Sequence, residues 1–291
     1  MYSDLLTWRR YRYLKMGAAL LLVSVLIFMF QGVEYGQPAN GGTWPGYILG
    51  TLGAVMIVWL SMLGIRKRSY RSKTGTVQGW TSAHIYVGTA LLIVGTLHSA
   101  AQMGWNIHTL AWALMVIVIV SGFVGTYAYL HLPQRMITNR ENRSRDSWLQ
   151  ELSDVDDAIR SNSQRCDADL QVQLVSALDA TRLGGSFWRH LRGIDSSVLQ
   201  PAVGQVANNQ DQGFLLSLLS QRVPNARERR EAELLNDLLS LVARRRVILA
   251  VLRRDARSDL WLKLWLVVHV PTTIALLLAL TLHIVSVFLY W

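Results

Sequence analysis

Five long apolar segments constrain this chain more than any other feature of its 291 residues. A helix needs about 20 mostly apolar residues to cross the hydrocarbon core of a bilayer, and each segment is close to that length or longer. The chain as a whole is 51% hydrophobic and 16% charged, whereas about a quarter of the residues in a soluble domain are charged. The pattern therefore predicts five membrane-spanning helices, at residues 14–30, 47–65, 79–103, 107–130 and 261–290.

The positive charges between these segments predict an orientation, because Lys and Arg gather in cytoplasmic loops. The N-terminus, the loop at 66–73 and the stretch at 134–145 are rich in Lys and Arg, whereas 31–45 and 104–106 contain neither. We therefore expect the N-terminus in the cytoplasm and the C-terminus outside, in the cytoplasmic (inner) membrane of a bacterium. The same placement accounts for much of the net charge of +10. Membrane lipid is thus an expected partner, and nucleic acid is not.

The stretch between the fourth and fifth segments has a different character. Residues 132–258 contain 19 Arg, 16 Asp plus Glu and no Lys, with apolar residues at helical spacings of three and four. Asp146 or Ser147 is expected to cap its first helix. The run Arg244-Arg245-Arg246 is interpreted as a face exposed to water or lipid headgroups. The predicted domains are transmembrane helices 1–4 at 1–131, a cytoplasmic helical insert at 132–258 and transmembrane helix 5 at 259–291.

These observations define the predicted fold class. It is an all-α membrane protein, a five-helix transmembrane bundle with a helical cytoplasmic insert between helices four and five. Cys166 is the only cysteine, which excludes a disulfide framework, zinc or iron–sulfur sites built on cysteines, and covalently attached haem. The insert carries no glycine-rich nucleotide-binding motif.

Four of the seven histidines lie inside two of the apolar segments, at a repeated spacing. His84 and His98 are in the third segment, and His269 and His283 are in the fifth, with thirteen residues between the members of each pair. Fourteen helical steps bring both rings to nearly the same helix face, about 21 Å apart along the axis. Ionisable side chains are costly inside a membrane and usually mark a functional site. The spacing therefore favours a function for all four histidines.

Haem is the ligand that this arrangement favours. The third and fifth spans run in the same direction, so His84 faces His269 at one depth and His98 faces His283 at the other. Two imidazoles from opposite helices can fill both axial positions of a haem iron, whereas ligands 21 Å apart cannot share one zinc or copper ion. We therefore predict that these four histidines are the axial ligands of two haems of the non-covalent b type. Glycines near the histidines are compatible with a flat macrocycle and equally with close helix packing.

The H-x13-H pattern on two membrane helices resembles the dihaem cytochrome b class. That class includes the cytochrome b of quinol–cytochrome c reductases and the membrane domain of ferric reductases and NADPH oxidases. The latter also resembles this chain in carrying its pairs on spans three and five. The resemblance covers about 150 residues and implies haem ligation by His84, His98, His269 and His283. The chain also resembles, in role only, the five-span dihaem membrane anchors of bacterial nitrate reductases and related dehydrogenases.

The function expected from this resemblance is electron transport across the membrane. We predict a subunit of a respiratory-chain oxidoreductase complex, carrying electrons between the quinone pool and a flavoprotein, iron–sulfur or cytochrome c type partner. The alternative is a stand-alone transmembrane ferric or oxygen reductase fed by a separate cytoplasmic flavoprotein. A third interpretation makes the haems structural or sensory. The candidate contacts to quinone or to haem propionates are His108, His131 and Arg135.

Overall fold

The computed structural model of the protein describes residues 5–34, 40–69, 75–181, 198–202, 205–208 and 212–289. The chain divides into two compact units. The first comprises Met1–Leu130 and Lys263–Trp291, and the second is His131–Leu262. Each unit is described by itself below.

Within the described residues, five helices are long and apolar enough to cross a membrane, which agrees with the predicted number. Many of their large apolar side chains are exposed, as expected where lipid rather than protein covers a surface. The helices are consistent with a membrane protein. Their bounds are α1 (Trp8–Glu34), α2 (Trp44–Arg68), α3 (Val77–Ser99), α4 (Ile107–Asn139) and α8 (Arg229–Leu289).

Two of these helices begin at threonine caps. The Thr43 side chain accepts a hydrogen bond from the backbone N–H of Gly46 at the start of α2. Thr76 does the same for Gly79 at the start of α3. Such caps satisfy N–H groups that have no partner within the helix. Helix α3 ends at Ser99, four residues before residue 103, where the predicted span ends. It ends there because Ala100 and Ala101 adopt left-handed backbone conformations (φ 49° and 56°).

The core of the first unit lies between α2, α3, α4 and the C-terminal part of α8. Its members are apolar side chains at helical spacings, and their burial stabilises the unit through the hydrophobic effect. They are Leu49, Met56, Ile57, Leu60, Val87, Ala90, Leu91, Val94, Met115, Ile119 and Leu276.

The second unit is mainly helical. It contains α5 (Arg145–Ser163), α6 (Ala168–Asp179), α7 (Gly213–Arg222), a 3-10 turn at Val223–Asn225 and the N-terminal part of α8. Two short strands, β1 (Val198–Ala202) and β2 (Gln205–Asn208), pair antiparallel.

The cap predicted for α5 was wrong by two to three residues. Ser144 caps the helix, and its hydroxyl accepts a hydrogen bond from the backbone N–H of Ser147. Asp146 lies in the first turn instead, where its negative charge stabilises the positive end of the helix dipole.

The interpretation of the arginine run was wrong for Arg245. Its side chain is only 1% exposed, and it lies in line with the buried residues Leu238, Val242, Leu249 and Leu252 at spacings of three and four. The guanidinium is neutralised by Asp156 at 2.6 Å and also donates hydrogen bonds to Thr181 (3.0 Å) and Gln212 (2.8 Å). A buried charge requires such partners, so Arg245 joins α8 to α5 and to the segments that follow α6 and precede α7.

A second cluster of charges surrounds Trp148, which is fully buried. Arg143 and Arg244 approach its ring, with guanidinium carbons 4.4 and 5.5 Å from the ring centroid. Both arginines also pair with Glu151. Although partial burial tends to raise the pKa of Glu151, the hydrogen bonds from Arg143 and Arg244 outweigh it and hold that pKa below its usual value.

Candidate functional site

The structure brings the four predicted histidines together in two pairs within the first unit. The ring centroids of His84 on α3 and His269 on α8 lie 6.4 Å apart, with the ring planes at 60°. The ring centroids of His98 and His283, on the same two helices, lie 6.2 Å apart, with the planes at 62°. The partners in each pair are those that the depth argument predicts.

Hydrogen bonds fix the rings of the first pair. Nδ1 of His84 donates to the backbone oxygen of Leu60 at 3.1 Å. Nδ1 of His269 lies 2.9 Å from Oγ of Ser121, and this hydroxyl donates to the backbone oxygen of Val118 at 2.8 Å. Since the Ser121 proton is used in that bond, its oxygen accepts from His269. Both rings therefore carry their proton on Nδ1 and present an unprotonated Nε2.

The second pair is held less symmetrically. Nδ1 of His98 donates to the backbone oxygen of Gly46 at 2.8 Å, which leaves its Nε2 unprotonated and able to bind a metal. Nδ1 of His283 is buried, and it has no hydrogen-bond partner in the part of the chain that the structure describes. Such a polar atom is costly to bury without a partner. The second pair therefore lacks one interaction that the first pair has.

The spacing of the rings agrees with axial ligation of haem. Two imidazoles that bind one iron from opposite sides, with Fe–N bonds of about 2 Å, have ring centroids roughly 6.3 Å apart. The observed separations are 6.4 and 6.2 Å. The chemistry of the donors agrees as well, because neutral imidazole with a free Nε2 is the form that can bind iron, and His84, His98 and His269 have that form.

Some of the glycines permit a close approach to these rings, and others serve helix packing. A Cβ atom added at Gly50 would lie 2.7 Å from Cε1 of His98, so only glycine fits there. Gly122 lies beside His269, with a corresponding distance of 3.5 Å. A Cβ at Gly95 would instead meet Met115, and one at Gly125 would meet the ring of Trp265. The two explanations offered by the sequence therefore apply to different glycines.

A large cavity of about 1480 Å³ lies beside the second pair. Its lining includes His98, His283 and His108, together with the polar side chains of Asn40 and Gln102. Cofactor and ligand sites usually occupy about 300–1,000 Å³. The cavity therefore has the volume for a large organic ligand next to the histidines.

His108 is the residue whose position the sequence left least defined. It lies near the start of α4, with its ring centroid 4.2 Å from that of His283 and 5.3 Å from that of His98. These separations place the His108 centroid roughly 3.5 Å to the side of the line that joins the His98 and His283 centroids, close to the midpoint of that line. This position lies in the plane that a haem macrocycle would occupy. Haem at the second pair therefore requires the His108 ring to rotate away. At the first pair the ring of Trp265 lies beside His269, with the ring centroids 5.2 Å apart.

The other candidate contacts lie elsewhere. His131 and Arg135 belong to the second unit, and both side chains are exposed. Trp105, next to His108 in sequence, is fully exposed. In the basic loop at 66–73, Arg71 and Lys73 lie outside the described residues, whereas Arg66 donates a hydrogen bond to the backbone oxygen of Ser69 at 3.0 Å.

No family model, curated protein or solved structure matches this chain.

Proposed function

We propose that the protein is a dihaem b-type cytochrome that carries electrons across a membrane. His84 and His269 would hold one haem, and His98 and His283 the other. The observation that carries this proposal is the pair of ring separations, 6.4 and 6.2 Å, between facing histidines on α3 and α8. Haem supplies reversible one-electron chemistry at its iron when it is bound.

The residues of the chain would contribute binding and orientation. Each histidine pair would close both axial positions, which favours electron transfer over binding of oxygen at the metal. The hydrogen bonds from Nδ1 to Leu60, Gly46 and Ser121 keep Nε2 unprotonated and orient the rings. Because His84 and His98 are fourteen residues apart on one helix, about 21 Å of membrane depth separates the two sites.

We further propose that quinone and a redox protein are the partners at the two faces of the membrane, within an oxidoreductase complex. The arginine-rich second unit would lie in the cytoplasm and the C-terminus outside, in a bacterial inner membrane. The distribution of Lys and Arg between the apolar segments supports this orientation.

The orientation has a direct test. A reporter that is active only outside the cytoplasm should be active when fused after Gly41 and inactive when fused after Gly185. A second reporter, active only in the cytoplasm, should give the opposite pattern and serves as the control. Activity of one reporter at both positions would contradict the orientation.

The haem content tests the proposed function itself. We expect two haems per full-length chain in a pyridine haemochrome assay combined with protein quantitation. Both haems should be extracted by acidic acetone, because the only cysteine, Cys166, cannot provide the Cys-x-x-Cys-His attachment of c-type haem. A chain that carries no haem, or haem that stays attached to the protein, would contradict the proposal.

A further inference from the structure

The second histidine pair has a third imidazole beside it. His98, His108 and His283 lie on α3, α4 and α8, and each is partly exposed. Each ring offers one nitrogen such that the three nitrogens lie within 4.8 Å of one another. Three neutral imidazoles are a common ligand set for a single transition-metal ion.

The separation of the nitrogens is close to what one ion requires. Nitrogen ligands in a tetrahedral site, each about 2.0–2.1 Å from the ion, lie about 3.4 Å apart. Side-chain rotations that move each ring by about an ångström would therefore bring the three nitrogens into one coordination sphere.

The hydrogen bonds agree with this use of the rings. His98 uses Nδ1 to contact Gly46, which leaves Nε2 as its ligand atom. His283 has a buried Nδ1 without a partner among the described residues. A metal ion bound through this nitrogen would give it the interaction that it lacks.

The cavity of about 1480 Å³ is lined by all three histidines, so it adjoins the place where an ion would lie. Sites with three protein ligands keep a fourth position for water or another small molecule. The cavity also contains the side chains of Asn40 and Gln102, which offer hydrogen bonds to such a molecule. The geometry thus describes an open site rather than a closed structural one.

We propose that His98, His108 and His283 bind one divalent first-row metal ion. The ion and a haem at the His98–His283 pair are alternative occupants of this place, because they share two ligands and because His108 lies where the macrocycle would be. Imidazole sites of this kind bind Cu²⁺ more tightly than Zn²⁺ or Co²⁺. This inference goes beyond the proposed function and does not depend on it, since the site consists of side chains alone.

The test is a titration of the full-length chain with Co²⁺, whose visible absorption distinguishes a four-coordinate site from the hydrated ion. The chain is purified from cells in which haem synthesis is limited, and metal is removed with a chelator. We expect one Co²⁺ per chain, displaced by Cu²⁺ according to the affinity order of the two ions. Haem content is measured in the same samples.

Matched variants identify the ligands. His108→Phe keeps an aromatic ring of similar size without a donor, and it should weaken Co²⁺ binding at least about 100-fold. His108→Asp restores a metal-binding atom and should recover much of the affinity. Trp105→Phe changes a fully exposed aromatic side chain outside the cluster and should leave Co²⁺ binding unchanged.

The outcomes separate this inference from the proposed function. Failure of the haem-limited chain to bind Co²⁺, or equal binding by His108→Phe and the wild type, would overturn the metal site. One bound Co²⁺ in a chain that never takes up haem would contradict the dihaem function and leave the metal site standing. Loading the chain with haem should reduce bound Co²⁺ from one per chain towards zero, and simultaneous binding of two haems and the ion would overturn the shared occupancy.

Discussion

Replacing His98 with alanine is expected to remove one of two redox transitions and to leave the other near its original potential. The haem content should fall from two towards one per chain, because the haem at that pair would keep only one of its two protein ligands. His283→Ala should remove the same transition as His98→Ala, since their rings lie 6.2 Å apart. His84→Ala and His269→Ala should share the other transition, since their rings lie 6.4 Å apart.

Redox titration of the haem absorbance in the purified full chain checks this grouping. If His98→Ala and His269→Ala removed the same transition, the pairing across α3 and α8 would be wrong. The rings in such a pair would also be about 21 Å apart in depth, so the assignment of both haems would have to be abandoned.

Gly50 provides a second route to the same loss, without touching a proposed ligand. A methyl group at this position would lie 2.7 Å from Cε1 and 2.9 Å from Nδ1 of His98, so Gly50→Ala should push the ring out of place and remove the His98 transition. Gly53→Ala is the matched control on the same helix, because its Cβ would meet only Leu91, at 3.9 Å. Equal redox behaviour of the two variants would show that the ring is not held against Gly50.

Arg245→Met is expected to destabilise the second unit by about 1–3 kcal/mol, because it removes the charged partner of Asp156, whose side chain is 25% exposed. It also removes hydrogen bonds to Thr181 and Gln212. Hydrogen exchange of the full-length chain measures this as a loss of amide protection in α5 and α6. Arg229→Met, on the same helix, is the control, since the Arg229 side chain is 93% exposed and its pair with Glu233 contributes little. Equal protection in both variants would contradict the role of Arg245.

Much of the membrane part could be predicted because its signals are periodic. Apolar length alone indicates five helices, and a fourteen-residue step places His84 and His98 on one face wherever α3 begins and ends. The direction of each helix then decides which histidines meet. None of these arguments needs the details of side-chain packing.

The position of His108 could not be predicted in this way. It depends on the tight turn after α3, where Ala100 and Ala101 adopt left-handed backbone conformations that alanine rarely takes. No glycine or asparagine marks these two positions in the sequence. Ser121 was also missed, because its contact with His269 joins α4 to α8 at a point that only the packed structure defines.

Arg245, in contrast, could have been identified. It follows Leu238 and Val242 and precedes Leu249 and Leu252 at spacings of three and four, which is the pattern of a buried helical stripe. The neighbouring arginines favoured the opposite interpretation, because a run of three charged residues usually lies on a solvated surface. The burial of Arg245 is thus predicted better by its place in the helical repeat of apolar residues than by the charges next to it.

The acceptors of the Nδ1 protons also differ in how they can change during evolution. For His84 and His98 the acceptor is a main-chain oxygen, of Leu60 and Gly46 respectively. Since every amino acid has that oxygen, no point mutation at those two positions deletes it. For His269 one contact is a side-chain hydroxyl, beside the backbone oxygen of Val118, and a single nucleotide change can remove that hydroxyl from Ser121. Among these three histidines, only His269 therefore has an Nδ1 contact that a single substitution can delete.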